Sequence, residues 1–301
     1  MKRKMLVKKI AVFSLVIILS FTFLISAQTK LVSDTLPKII FPVISDIHIG
    51  GAESERKFQN ALEDYKEIYP RYDAIVMVGD ITNGGKESQY RTFMQILNSN
   101  KANKATEIIL MGNHEYMAGD SSSKGYETRF VKETSMPYLY YDQRIKGYHF
   151  IALAPENMGG ADLSVKQLSW LKTKLNENRD KRQPIFVFLH QPLPNTVYGS
   201  KTWGDVINYK KLNNILKKYP QVILFSGHSH YILDNDKTII KKSFTMFNTG
   251  AVYYTMLEGD KYSDPSLSEG LLVEVYQNKV VIKCREFSKH KWLGETYIIN
   301  T

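Results

Sequence analysis

Five short stretches hold side chains whose types and spacing could do chemistry. "SDIHIGG" places Asp46 and His48 two residues apart; "VGDITNGG" supplies Asp80; "MGNHE" supplies Asn113, His114 and Glu115; "FLHQP" supplies His190; and "SGHSH" supplies His228 and His230. Imidazole nitrogens together with carboxylate and amide oxygens suit Mn, Fe or Zn. Taken singly, each stretch has a plain reading: a polar strand end for Asp46 and His48, turn chemistry for Gly112 with Asn113. Taken in order, the five are not what turn chemistry produces. A two-metal site needs two ligand sets about 3.5 to 4 Å apart with one group shared between them. Asp80, alone in its stretch and between the others, is the natural bridging carboxylate.

The elements that must position these residues can be read from the pattern of apolar runs. "IIFPVIS" (39–45), "AIVMVG" (74–79), "EIILMG" (107–112), "YHFIALA" (148–154), "PIFVFLH" (184–190) and "QVILFSG" (221–227) read as short strands rich in β-branched and aromatic residues. Helical spacing occupies 54–69, 86–98, 126–134, 164–178 and 209–219, while 116–127 and 192–205 read as loops. Alternation of strands and helices predicts an α/β layered domain with helices covering sheets. All five motifs fall at strand carboxyl ends, the edge where open α/β sheets bind ligands. Pro42 lacks the amide that a central strand would donate, which predicts an irregularity or an unpaired amide position there. From about residue 238 the pattern changes to strands and turns, predicted to be an antiparallel extension of a second sheet. Domain boundaries are expected at 38–290, with 291–301 a C-terminal tail.

The first 27 residues stand apart. "MKRKMLVKK" leads into the apolar stretch 10–25, the pattern of a signal peptide or an N-terminal membrane anchor. Cleavage after Ala27 is expected over retention, and no cysteine follows that would carry a lipid. The expected location is therefore outside the cytoplasm, extracellular or on the outer face of the membrane, with membrane contact only through this segment. Half of the net charge of +10 lies in these residues, leaving +5 for the rest. The remaining lysines form no dense basic stripe interleaved with aromatics, so no nucleic-acid partner is expected. The single cysteine, Cys284, cannot form an internal disulfide and reads as an apolar filler in a strand.

The five motifs resemble those of the calcineurin-like metallophosphoesterase family, and the likeness runs through residues 39–231. The resemblance implies a layered α/β/β/α sandwich of two mixed sheets flanked by helices, with a dinuclear metal site at strand carboxyl ends. Carried over residue by residue, it implies that Asp46, His48 and His230 hold one ion together with bridging Asp80. Asn113, His190 and His228 would hold the other. A hydroxide between the ions would be the nucleophile, and the phosphate would lie across both. His114, beside Asn113 at the substrate, would contact the phosphate and stabilise or protonate the leaving oxygen. Glu115 would orient His114 or support the ligands from behind; a surface-turn carboxylate is the plain alternative. Purple acid phosphatases of this family use a tyrosine three residues after the bridging aspartate; here that position is Asn83, while His48 supplies a ligand. This points to the cyclic-nucleotide phosphodiesterase-like branch, with Mn or Fe favoured over Zn.

The implied activity is metal-dependent phosphodiester hydrolysis on small, cyclic nucleotides. Its rivals are a broad phosphomonoesterase or nucleotidase and a non-catalytic metal-binding scaffold. Tyr116, Tyr198 and Trp203 could wall a nucleobase, although loop packing is the plainer reading. His149 reads as a satisfied sheet histidine and His290 as exposed.

Overall fold

A computed structural model describes residues 35–156, 161–177, 180–201 and 206–301. Two six-stranded sheets stack face to face. The first has the order β14-β13-β12-β1-β2-β3, the second β4-β5-β6-β7-β9-β8. In the first sheet, β1 (Ile39–Ile44), β2 (Ala74–Met77) and β3 (Thr106–Ile109) run parallel. Antiparallel β12 (Glu269–Val275), β13 (Lys279–Glu286) and β14 (Lys291–Asn300) complete it. The second sheet is built on parallel β5 (Tyr148–Ala152), β6 (Ile185–Phe188), β7 (Val222–Ser226) and β9 (Thr245–Asn248), with β4 (Tyr141–Ile145) and β8 (Ile239–Lys241) antiparallel at its edges. Both sheets are thus mixed.

Side-chain alternation along the strands sorts the core into layers. Phe41, Val43, Phe150, Phe186, Phe188 and Phe225 meet between the sheets. Residues of opposite parity face outward onto helices. Ile75 and Met77 pack beneath α1 (Ser54–Ile68), α2 (Glu87–Asn100) and α3 (Ser123–Thr134), whereas Ile185, Val187 and Leu224 pack beneath α4 (Val165–Glu177) and α5 (Tyr209–Leu216). In α1 the apolar stripe is Phe58, Ala61, Leu62 and Tyr65, spaced for one face of a helix. The result is the expected α/β/β/α sandwich.

Several expectations differ from what is found. The strands after residue 268 return to the first sheet; only β8 and β9 extend the second. Residues 291–300, expected to be a tail, form the ten-residue edge strand β14. Strand β4 went unpredicted because "YDQRI" is an edge strand whose middle is solvated. Helix α3 begins inside the segment expected to be a loop, because the Ser122 hydroxyl caps it by accepting from the Gly125 amide. At Pro42 the ladder to β12 is continuous, and the parallel pairing to β2 runs only over Val43 and Ile44, beyond the proline. Among the described residues no helix is long and apolar enough to cross a membrane; the signal-like segment 1–27 lies outside them.

Candidate metal centre

The loops after β1 and β2 run side by side. The amides of Ile47 and His48 both donate to the Asp80 carbonyl at 2.9 Å, and the Asp46 amide donates to the Gly79 carbonyl. The loop after β3 joins them, with the His114 amide donating to Asp80 Oδ1 at 2.9 Å. From the second sheet, the His228 amide donates to the Asp46 carboxylate, and His190 reaches across to the Val78 carbonyl. Two glycines make this interlock possible by sparing a Cβ: one at Gly112 would lie 2.2 Å from Asp80 Oδ1, and one at Gly227 would lie 2.5 Å from Asp46 Oδ2.

All seven residues expected to ligate metal arrive in one place. Asp46, His48, Asp80 and His230 form one set whose donor atoms lie within 4.8 Å of one another; Asp80, His190 and His228 form a second, and Asp80 belongs to both. Asn113 lines the same cavity with its Oδ1 buried and without a hydrogen-bond donor. Asp46, His48, Asp80, His190 and His230 are buried. Five of the seven, Asp46, His48, Asp80, His228 and His230, have positive φ between 49° and 67°. Non-glycine residues in that region carry strain of about 1 kcal/mol or more each, and such strain clusters at functional sites.

Whether these residues fit cations can be tested on their own hydrogen bonds. The Val78 carbonyl can only accept, so His190 Nδ1 carries the proton, at 2.7 Å. In a neutral ring, Nε2 is then a bare lone pair, yet it lies 3.1 Å from Asp80 Oδ2. His230 repeats this: Nδ1 donates to the Tyr254 carbonyl at 2.9 Å, and Nε2 faces Asp46 Oδ1 at 3.1 Å. His48 Nε2 lies 3.3 Å from His230 Nε2. In the His190–Asp80 and His230–Asp46 pairs, lone pairs facing one another at such distances demand positive charge between them. Protons alone meet the demand unevenly. Burial opposes charge on His190, but Asp80 and Asp46 outweigh it and hold the imidazole at about 9. Burial likewise pulls Asp46 upward, but His230 and His190 bring it to about 2. His48 is pushed by burial down to about 3 and stays neutral. A neutral buried imidazole beside two anionic carboxylates is a donor set that fits divalent cations.

His114 lies at the cavity mouth, its side chain 27% exposed, with Nδ1 donating to the Asn83 carbonyl and Nε2 3.9 Å from Asp80 Oδ2. Glu115 does not touch its neighbour's ring. Its buried carboxylate accepts from the amides of Asp80, Thr82 and Gly112 and from the Thr82 hydroxyl, tying the second and third motif loops together. Burial pushes its carboxyl up to about 7, with the Asp80 charge adding to the rise.

The remaining cavity wall, about 240 Å³ in all, includes Met117, Tyr254 and Met256. Tyr116 and Tyr198 take the plainer role of packing, not that of a nucleobase wall. Tyr116 is buried with its hydroxyl on the Pro155 carbonyl, Tyr198 stacks on Tyr231, and Trp203 lies outside the described residues. Sequence reasoning passed over Tyr254, whose ring stacks on His230 at 4.1 Å; the doubled tyrosine in "GAVYYT" was its only signal. His149 is buried and paired with Asp142 through Nδ1, His290 is exposed and paired with Asp64, and Cys284 is buried in β13.

A family model described as calcineurin-like phosphoesterase matches residues 41–231. Among curated proteins, the chain is 23% identical over 209 residues to "Probable glycerophosphodiester phosphodiesterase" of Arcobacter nitrofigilis, covering 63% of this chain and 71% of that one. It is 26% identical over 196 residues to the 3′,5′-cyclic adenosine monophosphate phosphodiesterase of Escherichia coli K12, covering 62% and 64%. Among solved structures, a dimetal phosphatase from Danio rerio superposes with a TM-score of 0.66 at 15% identity, over 88% of this chain and 99% of that one. A purple acid phosphatase from yellow lupin gives 0.64 at 12%, over 87% and 53%. At these identities the structural likeness concerns the fold.

Proposed function

The chain belongs to the calcineurin-like phosphoesterase family, and from that premise we propose that it is a two-metal hydrolase of phosphodiesters, acting on small nucleotides, cyclic ones foremost. The observation that carries this reading is the single carboxylate, Asp80, common to two otherwise separate donor sets. Asp46, His48 and His230 would share one ion with Asp80; Asn113, His190 and His228 would share the other. Two divalent or transition-metal ions, of Mn, Fe or Zn, would supply the charge that acidifies a water molecule and neutralises phosphoryl oxygens.

The chain's own residues do the rest. The Val78 and Tyr254 carbonyls fix the tautomers of His190 and His230, so that Nε2 of each faces the centre. Glu115 keeps the Asp80 and Asn113 loops in register. In hydrolysis, water gives up a proton to solvent as its oxygen bonds to phosphorus and the ester P–O bond breaks. The bond's electron pair leaves on the alcohol oxygen, which takes the Nε2 proton of an imidazolium His114 at the cavity mouth; His114, left neutral with Nδ1–H on the Asn83 carbonyl, regains a proton from solvent. Support for a diester comes from the phosphodiesterase names of the relatives from A. nitrofigilis and E. coli and from Asn83 at the position where purple acid phosphatases place a tyrosine, with His48 supplying a ligand from the first motif.

A panel on metal-loaded protein tests the reading: 2′,3′- and 3′,5′-cyclic nucleotides, bis-aryl phosphates and phosphomonoesters. Turnover should favour the diesters. Preference for monoesters would make the protein a phosphatase or nucleotidase, and turnover of none would make it a scaffold. Elemental analysis should approach two ions per chain, and Asp80→Ala should lower both. One tightly held ion with full activity would end the two-metal assignment.

A further inference from the structure

Beside the metal centre lies a larger cavity, about 660 Å³, between the start of α1 and the segment 253–266. Its size falls within the range of about 300–1,000 Å³ typical of small-molecule sites. Tyr254 belongs to both cavities, so a group bound in the larger one sits a single aromatic ring from the ligand His230. Three tyrosines line it. Tyr253 and Tyr254 meet edge to face at 5.2 Å between centroids, and Tyr254 and Tyr262 are tilted at 5.4 Å.

The walls are fixed before anything binds. Buried Lys57 donates through its ammonium to the carbonyls of Tyr253 at 2.7 Å, Pro265 at 2.6 Å and Leu267 at 3.0 Å, pinning the segment to α1. That lysine spends all three donors on backbone and offers none to a ligand. Around the cavity, Arg56 is neutralised by Glu53 at 2.7 Å, and Asp264 adds a further carboxylate. Aromatic faces favour a planar ring. The Asp264 carboxylate favours hydroxyl and amino donors, and with Glu53 paired to Arg56 and the Lys57 ammonium spent on backbone carbonyls the cavity offers, among the described residues, no free cation to a second phosphate.

We propose that this cavity seats the neutral nucleoside portion of a phosphodiester whose phosphorus lies at the Asp80–His114 centre, with Tyr254 the partition between the two. The assignment rests on the phosphodiesterase reading for its substrate, but its test need not depend on turnover. Adenosine, which has no phosphate, should bind the full protein, measured by saturation-transfer NMR and by titration. Tyr262→Ala removes an exposed ring, 72% accessible, that touches no metal ligand. It should weaken adenosine about tenfold, as loss of a stacking partner does. KM for 3′,5′-cyclic AMP should rise in parallel with kcat little changed.

If adenosine does not bind, or binds both proteins equally, the cavity assignment is overturned even where diesters are hydrolysed. If no diester is hydrolysed but Tyr262→Ala still weakens adenosine, the phosphodiesterase reading fails and the nucleoside site stands.

Discussion

His114 and Asn113 are adjacent in the chain but meet different demands, and their substitutions should fail differently. His114 lies at the cavity mouth, its Nδ1–H held by the Asn83 carbonyl, so Nε2 is the nitrogen turned to the cavity, and it hands a proton to a leaving oxygen from the doubly protonated imidazolium. His114→Ala should lower turnover by roughly 10² to 10⁴ with metal content near wild type, and least for an aryl ester whose leaving group needs no proton. Asn113 instead buries an Oδ1 that no donor among the described residues reaches. Asn113→Ala should weaken one ion, and excess metal should partly restore activity. Metal analysis beside kinetics on the two variants checks this; His114→Ala protein rescued by added metal would make His114 a ligand. The identities of all these residues were legible in the sequence because each motif is local. What was not legible is their backbone: nothing in "DIH" or "GHSH" announces that five ligands adopt a left-handed conformation.

At the scale of elements, the late strands carry the main surprise. Glu269 begins β12 and faces Glu286 of β13 across the ladder, both buried. Glu286 is satisfied by Ser288 and the Lys289 amide, whereas Glu269 accepts from the Leu233 amide. Burial, with Glu286 adding to it, pushes Glu269 up to about 7 from an ordinary 4.5. The folded chain therefore holds this proton more tightly than the unfolded one. The stability it contributes is fully present below pH 4.5 and is lost as pH rises through about 7. Glu269→Gln keeps an acceptor for Leu233 and removes the charge, so its Tm should exceed that of wild type at pH 8 and converge with it near pH 4. Equal melting curves at both pH values would refute the argument. The place of β12 beside β1 escapes sequence reading because that pairing joins residues more than 200 apart, as between Ile39 and Val275. Parallel strands with helical crossovers were readable because each unit is contiguous.

For the whole molecule, residues 39–231 carried the resemblance; of the remainder, β8 and β9 extend the second sheet and β12 to β14 complete the first. We propose that residues 1–27 direct the catalytic domain outside the cytoplasm. Protein lacking them should be soluble and should fold, since the three core layers are built from Ile39 onward. Chelation should lower its Tm and Mn should restore it, because a ligand at 1,000 times its Kd adds about 4 kcal/mol of stability. Circular dichroism melts with and without chelator check both statements. A truncated protein that stays unfolded with metal present, or full-length chain recovered from the cytoplasm, would count against the proposal.

Each donor set draws on both sheets: Asp46, His48, Asp80 and Asn113 follow strands of one, His190, His228 and His230 strands of the other. Between the sheets the contact is chiefly side-chain packing, the phenylalanine layer of Phe41, Phe150, Phe186 and Phe188, with a few crossing hydrogen bonds such as Tyr141 to Ile109 and His190 to Val78. Alignment of the ligands is therefore a matter of shear. A slip of one sheet over the other by a fraction of an ångström moves His190 and His230 against Asp80 and Asp46, although no loop has changed. Ions bound there would act as rivets across the seam, and a hole left in the phenylalanine layer far from the edge would loosen their grip without altering a single ligand.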